Sequence, residues 1–420
     1  MNITKIMKLI LTKKKIYTID KFFFYFFLKK FFFIFRLLLF FQITFCFLLF
    51  IILLYPIILI RIGRFRSDKI GHLSLEYEIY LNERKPKNFF LDLWYREKKI
   101  CNNYLYNIRK KQFNIVPSLI FSDIYKLIKI LNLQNIFICD RKFSDSDTNY
   151  VLDKNKVTFK LKKDLIKSKL KLLYSTNLKK NQKFVCIHLR DAAYRGFHPM
   201  TDYKNIKKFQ NYYKTINYLI DKGFFVIRTG RQSNYRFKIN NSNFLDYPFS
   251  SIKSDEMDLV MASRAYFCIS SGSGFDGLVR LFRNPVLFTN FAPIGYFHSF
   301  SKKNMTIFKH YKDKNKKKLS FCEILNLGLI YLNDGRVFKK KKISLVENSD
   351  KEIFEATKEM LGYLKKKFRR KKFKDHYDLK TKYFFTKKIL EKYNFSQHFK
   401  VKSIIPKSFL KKNKHLLNEI

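Results

Sequence analysis

From Phe184 onward the chain alternates short apolar runs with stretches whose apolar residues recur at helical spacing. The run 184–188 is apolar until its last residue, as in a strand buried on both faces. A helix over 206–221 follows, then strands over 224–228 and 244–247, a helix over 255–264, a strand over 266–269, a helix over 275–282 and a strand over 285–289. Apolar strands separated by helices predict a doubly wound parallel sheet. A similar alternation precedes it, with helices over 73–81, 101–111 and 119–131 and strands over 88–93, 113–116 and 135–140. The polar stretch 144–156 and the Lys-rich 161–180 read as an inter-domain region. Beyond Gly295 the pattern thins, leaving a helix over about 351–366 and a basic run over 365–374.

One stretch is apolar throughout. Leu37 to Ile60 carries no charge and is bounded by Arg36 and Arg61, more than the ~20 residues that cross a hydrocarbon core. The upstream run 22–35 is aromatic but broken by Lys29 and Lys30, which suits a membrane interface. Basic residues flank both sides and Pro56 interrupts the helix, so a hairpin that returns to the same side competes with a simple crossing. Either way the soluble part is expected to face the cytoplasm. The resulting organisation is a membrane anchor with basic flanks (1–66), a first α/β domain and linker (67–180), a second, doubly wound domain (181–300) and a helical, basic C-terminal region (301–420).

The net charge of +53 changes this picture little. Its Lys excess is spread along the chain beside abundant Ile, Asn and 48 Phe, a bias that A/T-rich codons produce, and no nucleic-acid-binding motif accompanies it. Nucleic acid is therefore not expected as a partner, whereas anionic lipid is. The six cysteines are isolated, with no CxxC pair to suggest zinc or redox chemistry.

Candidate chemistry gathers at strand ends. His188, Arg190 and Asp191 follow the 184–188 strand, and Ser270-Ser271-Gly272-Ser273-Gly274 lies between a strand and a helix. Such junctions bind phosphate, because free backbone N–H groups and the helix dipole face the anion. Arg190 suits a diphosphate through its planar fork, and Arg228 occupies the matching end of the next strand. The Ser/Gly loop is neither a P-loop nor a full dinucleotide fingerprint. His72 and Asp191 are candidate general bases, and Asp145-Ser-Asp147 is a weaker candidate for a metal pair.

Taken in order, Arg66-Ser-Asp-Lys-Ile-Gly71-His72, Ile187-His188-Leu-Arg190-Asp191, Gly223-Phe-Phe-Val-Ile-Arg228-Thr-Gly230, Asp246-Tyr247, Met257-Asp258 and Ser270 to Gly274 resemble a bacterial family of glycosyltransferases found with surface-polysaccharide genes. That family is similar to the GT-B fucosyltransferases with an HxR motif. The resemblance covers about 67–295 and implies two Rossmann-like domains and a nucleotide-diphosphate sugar as donor substrate, with no metal or other cofactor. It implies a lipid-linked or surface-glycan acceptor. Arg190 would meet the donor diphosphate, the loop from Ser271 to Gly274 its phosphates, and Asp246 or Asp258 the nucleoside, with Gly71-His72 facing the cleft from the acceptor side; His188 and Ser270 are further donor-side candidates. The chain departs from the fucosyltransferase motif at Asp191-Ala192-Ala193, which leaves the base and the sugar open. The alternative is a non-catalytic membrane-associated glycan-binding or assembly protein on the same fold.

Overall fold

The computed structural model describes residues 41–84, 89–97, 99–193, 196–366 and 376–420. The fold is α/β with parallel sheets. The chain divides into two compact units that take it in turns: Met1–Phe65, Pro86–Glu97 and Phe113–Asp140 form the smaller, and Arg66–Lys85, Lys98–Gln112 and Arg141–Ile420 the larger. No single cut of the chain reproduces that division, and segments 67–84 and 141–180 share a unit with 181–300.

The smaller unit holds strands β1 (Leu59–Phe65), β2 (Phe90–Arg96) and β3 (Asn114–Val116), parallel and in the order β1-β2-β3. The expected second doubly wound sheet is thus a simple three-stranded one among the described residues. A helix over 41–54 turns Thr44, Leu48 and Ile51 inward, a 4- and 3-residue spacing that puts them on one face. Leu48 and Ile51 join Ile60, Ile62, Ile124 and Ile128 in the core. Pro56 stands in the turn that follows, as its missing N–H dictates.

The apolar run expected to be one membrane segment is therefore divided. Its last residues, Leu59 and Ile60, open β1, where they pair with Phe90 and Leu91. Arg61, which looked like the segment's end, continues the strand: its Nε and Nη2 donate to the two Asp92 carboxylate oxygens at 2.7 and 3.0 Å. Among the described residues no helix is long and apolar enough to cross a membrane; residues 37–40 and the run 22–35 lie outside them. The strand expected over 135–140 is also different, since Gln134–Phe137 is helical and only Ile138 bridges β1, at Ile62.

The larger unit is organised by six parallel strands: β4 (Phe184–His188), β5 (Phe225–Thr229), β6 (Phe244–Asp246), β7 (Phe267–Ser270), β8 (Val286–Phe291) and β9 (Asn304–Phe308). They lie in the order β6-β5-β4-β7-β8-β9. The sheet grows one way from β4 through β5 and β6, then restarts on the other side at β7. That reversal opens a crevice above the carboxyl ends of β4 and β7, the switch point at which doubly wound folds bind ligands.

Helix Asp255–Arg264, capped by the Ser254 hydroxyl on the Met257 amide, leads into β7. Helix Gly274–Leu281 follows it. The π-helical turn His72–Glu76 packs on this second helix with almost no space between backbones. A Cβ on Gly277 would meet Gly71 Cα and Ser74 Oγ at 2.9 Å, and one on Gly274 would meet Ile70 Cγ2 at 2.4 Å. Small residues at 71, 274 and 277 are what bring His72 to the switch point. The region after 300 does more than add helices and charge. It supplies β9, and Phe297, Phe308, Phe321 and Phe385 pack against one another in the core.

Candidate functional site

A cavity of about 1060 Å³ opens over the switch point, lined by residues of the larger unit alone. Its floor follows the strand tips. Gly230 and Arg231 come from the end of β5, His188, Leu189 and Arg190 from β4, Gly272 to Gly274 from β7, and Phe291, Ala292 and Pro293 from β8. With strands about 4.8 Å apart, the row from β5 to β8 spans about 14 Å.

At the centre, Arg190 is held by its surroundings. Its Nε donates to Asn205 Oδ1 and its Nη2 to Thr201 Oγ1, both at 3.1 Å, while its backbone N–H donates to Ser271 Oγ at 2.9 Å. Lys204 lines the same cavity and was not anticipated from the sequence, where it sits in an unremarked polar turn. Burial, then the charge of Arg190, pushes its ammonium down to about 8. Two cations whose fields oppose each other at one cavity are stabilised by an anion between them.

The Ser/Gly loop is built largely around its own hydrogen bonds. The Asp276 carboxylate accepts from Ser270 Oγ at 2.8 Å and from the Ser273 amide at 2.7 Å, and Ser270 Oγ in turn accepts from the Gly272 amide. Burial raises the Asp276 carboxyl to about 6. Ser270 and Ser271 thus shape the loop, while Gly272, Ser273 and Gly274 line the cavity. Gly272 has φ +75°, a conformation that favours glycine, and lies 3.2 Å from Phe291 at its Cβ position. Gly274 opens the helix, whose first-turn N–H groups have no acceptor within it.

His72 lines the cavity from the π-helical turn. Its Nδ1 lies 2.9 Å from Glu76 Oε2 and 2.9 Å from Ser144 Oγ. Ser144 itself donates to Glu76 at 3.1 Å, and Arg66 Nη1 stands 3.6 Å from the same carboxylate. An ionised carboxylate only accepts, so beside Glu76 the Nδ1 atom is the donor, and in the neutral ring the lone pair belongs to Nε2. Asp145 also lines the cavity; burial pushes its carboxyl up, the His72 and Arg280 charges pull it down, and the net direction is down. Asp147 faces elsewhere, accepting from the Val151 and Leu152 amides, and among the described residues no three His, Cys, Asp or Glu side chains converge as a metal site.

Other candidates have different surroundings. His188 lines the cavity with its ring stacked on Phe275 and its Nδ1 3.1 Å from Thr229 Oγ1. Burial, then Arg228, pushes it down to about 4, so it is neutral near pH 7. Asp191 lines the cavity too, but its oxygens accept from the Ala193 and Asn234 amides and the Ser233 hydroxyl, which ties two loops together. Arg228 does not line the cavity: its Nη1 donates to Asp246 Oδ1 at 2.9 Å and its side chain is 1% exposed. Arg228 and Asp246 form a buried pair between β5 and β6 in place of the diphosphate and nucleoside contacts expected of them. Asp258 does line the cavity, beside Arg231, and burial lifts its carboxyl to about 6.

The sequence also gave no sign of the wall beyond β8. Phe143, Tyr296, Tyr331, Tyr393 and Phe395 gather there from distant parts of the chain. Elsewhere in cavity-lining residues, the buried atoms His298 Nδ1, Asp68 Oδ1 and Arg66 Nε have no hydrogen-bond partner among the described residues.

No protein-family model matches the chain, and no curated protein sequence matches it. Among solved structures, it is similar to the iron-containing dodecameric glycosyltransferase TibC of enterotoxigenic E. coli at 11% identity and a TM-score of 0.31, over 55% of this chain and 58% of that one. The chain thus spans less than two thirds of the length of that relative. The E. coli ADP-heptose LPS heptosyltransferase II aligns at 10% identity and a TM-score of 0.34, over 59% of this chain and 90% of that one. A glycosyl transferase family 9 structure from Veillonella parvula aligns at 8% identity and a TM-score of 0.39, over 72% and 97%. At these scores the likenesses carry no argument about the site.

Proposed function

We propose that the chain is a glycosyltransferase of the GT-B kind that moves a sugar from a nucleotide-diphosphate donor to a lipid-linked or surface-glycan acceptor without a metal. One observation carries this reading: a cavity at the β4/β7 switch point is lined both by the cations Arg190 and Lys204 and by a histidine whose Nδ1 is bound to a carboxylate. The first pair suits a leaving diphosphate. The second suits removal of a proton from an attacking hydroxyl.

In the step these groups support, the acceptor oxygen bonds to the anomeric carbon as the bond from that carbon to the diphosphate oxygen breaks, and the diphosphate leaves with the electron pair. Arg190, Lys204 and the Gly274 amide at the start of the helix stabilise the charge that grows on it, a preorganised contribution for which one lost donor commonly costs ~10²-fold or more in rate. His72 Nε2 takes the hydroxyl proton. Glu76 stabilises the resulting imidazolium and fixes the ring. The donor is then a substrate, and no further cofactor is needed.

Attachment to an anionic membrane belongs to the same proposal. The helix over 41–54 buries one stripe and leaves Phe41, Phe45, Phe50 and Leu53 exposed, with Leu53 at 75% and Ile57 in the following turn at 71%. Apolar side chains in that number suit lipid better than water. The soluble units would face the cytoplasm, where nucleotide sugars are available, and nucleic acid is not among the proposed partners.

Purified protein assayed for turnover against a panel of nucleotide sugars tests this. Transfer is expected in the wild type, with a ~10²–10⁴-fold loss in His72→Ala and unchanged nucleotide affinity. Turnover by no nucleotide sugar, or full turnover in His72→Ala, would overturn the enzyme or the base respectively.

A further inference from the structure

The cations and His72 occupy the centre of the cavity, and its far wall is aromatic. Five rings converge there from four stretches of chain. Phe143 stacks on Phe395 at 5.6 Å and 21°, Tyr331 meets Phe395 at 6.0 Å and Tyr393 at 5.7 Å, and Tyr296 packs edge-on to Tyr331 at 5.3 Å. Core aromatics are sealed, yet here Tyr296 is 42% exposed and Tyr393 and Phe395 are 38% exposed, in the lining of a cavity. The wall therefore presents aromatic surface to whatever enters.

Its position along the sheet says what that is. Asp258, Gly230 and Arg231 lie toward β5, the cations Arg190 and Lys204 at the middle, and Tyr296 beyond β8. A row of about 14 Å is long enough for a nucleoside at one end, a diphosphate at the centre and one further ring at the other. The lining that carries these rings also holds the side-chain amides of Asn333 and Gln397. Aromatic surface next to hydrogen-bonding groups suits an amphipathic ligand. A pyranose has that make-up: a face of C–H groups that lies flat on an aromatic ring, and equatorial hydroxyls at its rim.

We propose that the wall formed by Tyr296, Tyr393 and Phe395 is a saccharide subsite on which a pyranose ring stacks. The inference rests on the glycosyltransferase reading for its biological use, but the stacking itself does not. The ring has two possible sources, the sugar of the nucleotide donor and the terminal sugar of the acceptor, and these separate in solution.

The experiment uses the full chain and two probes. Saturation-transfer NMR with methyl glycosides of common hexoses reads binding of a free sugar, and calorimetry compares a nucleoside diphosphate with the corresponding nucleotide sugar. Tyr393→Ala and Phe395→Ala are expected to reduce sugar binding at least fivefold and to leave the nucleoside diphosphate affinity unchanged, while Tyr393→Phe retains the ring and the binding. Loss of methyl glycoside signals assigns the subsite to the acceptor; loss of the affinity difference between nucleotide sugar and nucleotide assigns it to the donor. Unchanged behaviour with both probes would overturn the proposal, as would weakened binding of the bare nucleoside diphosphate, which would make the wall a nucleobase site. Failure of the wild type to bind any nucleotide would sink the enzymatic reading instead, leaving the methyl glycoside result to decide the subsite.

Discussion

Arg190 and Arg228 occupy nearly equivalent places, near the ends of adjacent parallel strands, and they do different things. Arg190 follows β4, hydrogen-bonds Asn205 and Thr201, and lines the cavity. Arg228 lies within β5, is sealed between β5 and β6 with Asp246, and is linked to the cavity-lining Asp191 through Ser233, which donates to that carboxylate. The difference is topological. On one side β4 borders β7, where the sheet reverses and the crossovers part to leave a crevice. On the other, β5 borders β6 in the same direction of growth, and the neighbouring strand places a carboxylate opposite the arginine. A basic residue at a strand tip therefore reaches a cavity only where the topology leaves space above it.

The largest effect that sharpens this contrast is on stability. Arg228→Ala strands the Asp246 carboxylate, which is 11% exposed, without its cation, and breaking a buried pair from one side costs about 3–5 kcal/mol. Denaturant unfolding should register that loss for Arg228→Ala. A variant as stable as the wild type would mean that Arg228 is not a structural residue and would reopen it as a ligand group.

A smaller effect concerns the second cation. Lys204, brought down to about 8 by burial and then by Arg190, with Asp145 opposing, is charged below that value in the free protein and loses its charge as pH rises through it. Nucleoside diphosphate affinity should accordingly be full below about pH 8 and fall above it. Lys204→Gln should flatten that fall while weakening binding roughly tenfold, the worth of one charged hydrogen bond of about 1.5 kcal/mol. A profile with the same alkaline fall in the variant would assign the titration to another group.

The contrast also shows what the sequence could and could not disclose. The 184–188 strand and the 255–264 helix stand at the boundaries that periodicity suggests, since each is a short, uninterrupted apolar or capped segment. The Ser/Gly loop does line the cavity through Gly272 to Gly274, because a strand-to-helix turn is a local feature that local residues specify. Arg61 misled because a charge ordinarily ends a buried segment, and only tertiary pairing with Asp92 lets it continue as β1. Asp246 is a local residue whose partner is set by strand order, which spacing alone does not encode. The aromatic wall is the extreme case: Phe143 and Phe395 stack across most of the larger unit's length of chain, and neither belongs to a periodic pattern.

Calorimetric titration of Arg190→Ala and of the wild type with a nucleoside diphosphate tests the central claim most directly, that the β4/β7 crevice is an anion site built around this arginine. Binding is expected in the wild type and a loss of tenfold or more in Arg190→Ala, since a cation at the centre of the cavity is removed while the fold stays intact by thermal unfolding. Equal affinity in the two proteins, or no binding by a folded wild type, would contradict it.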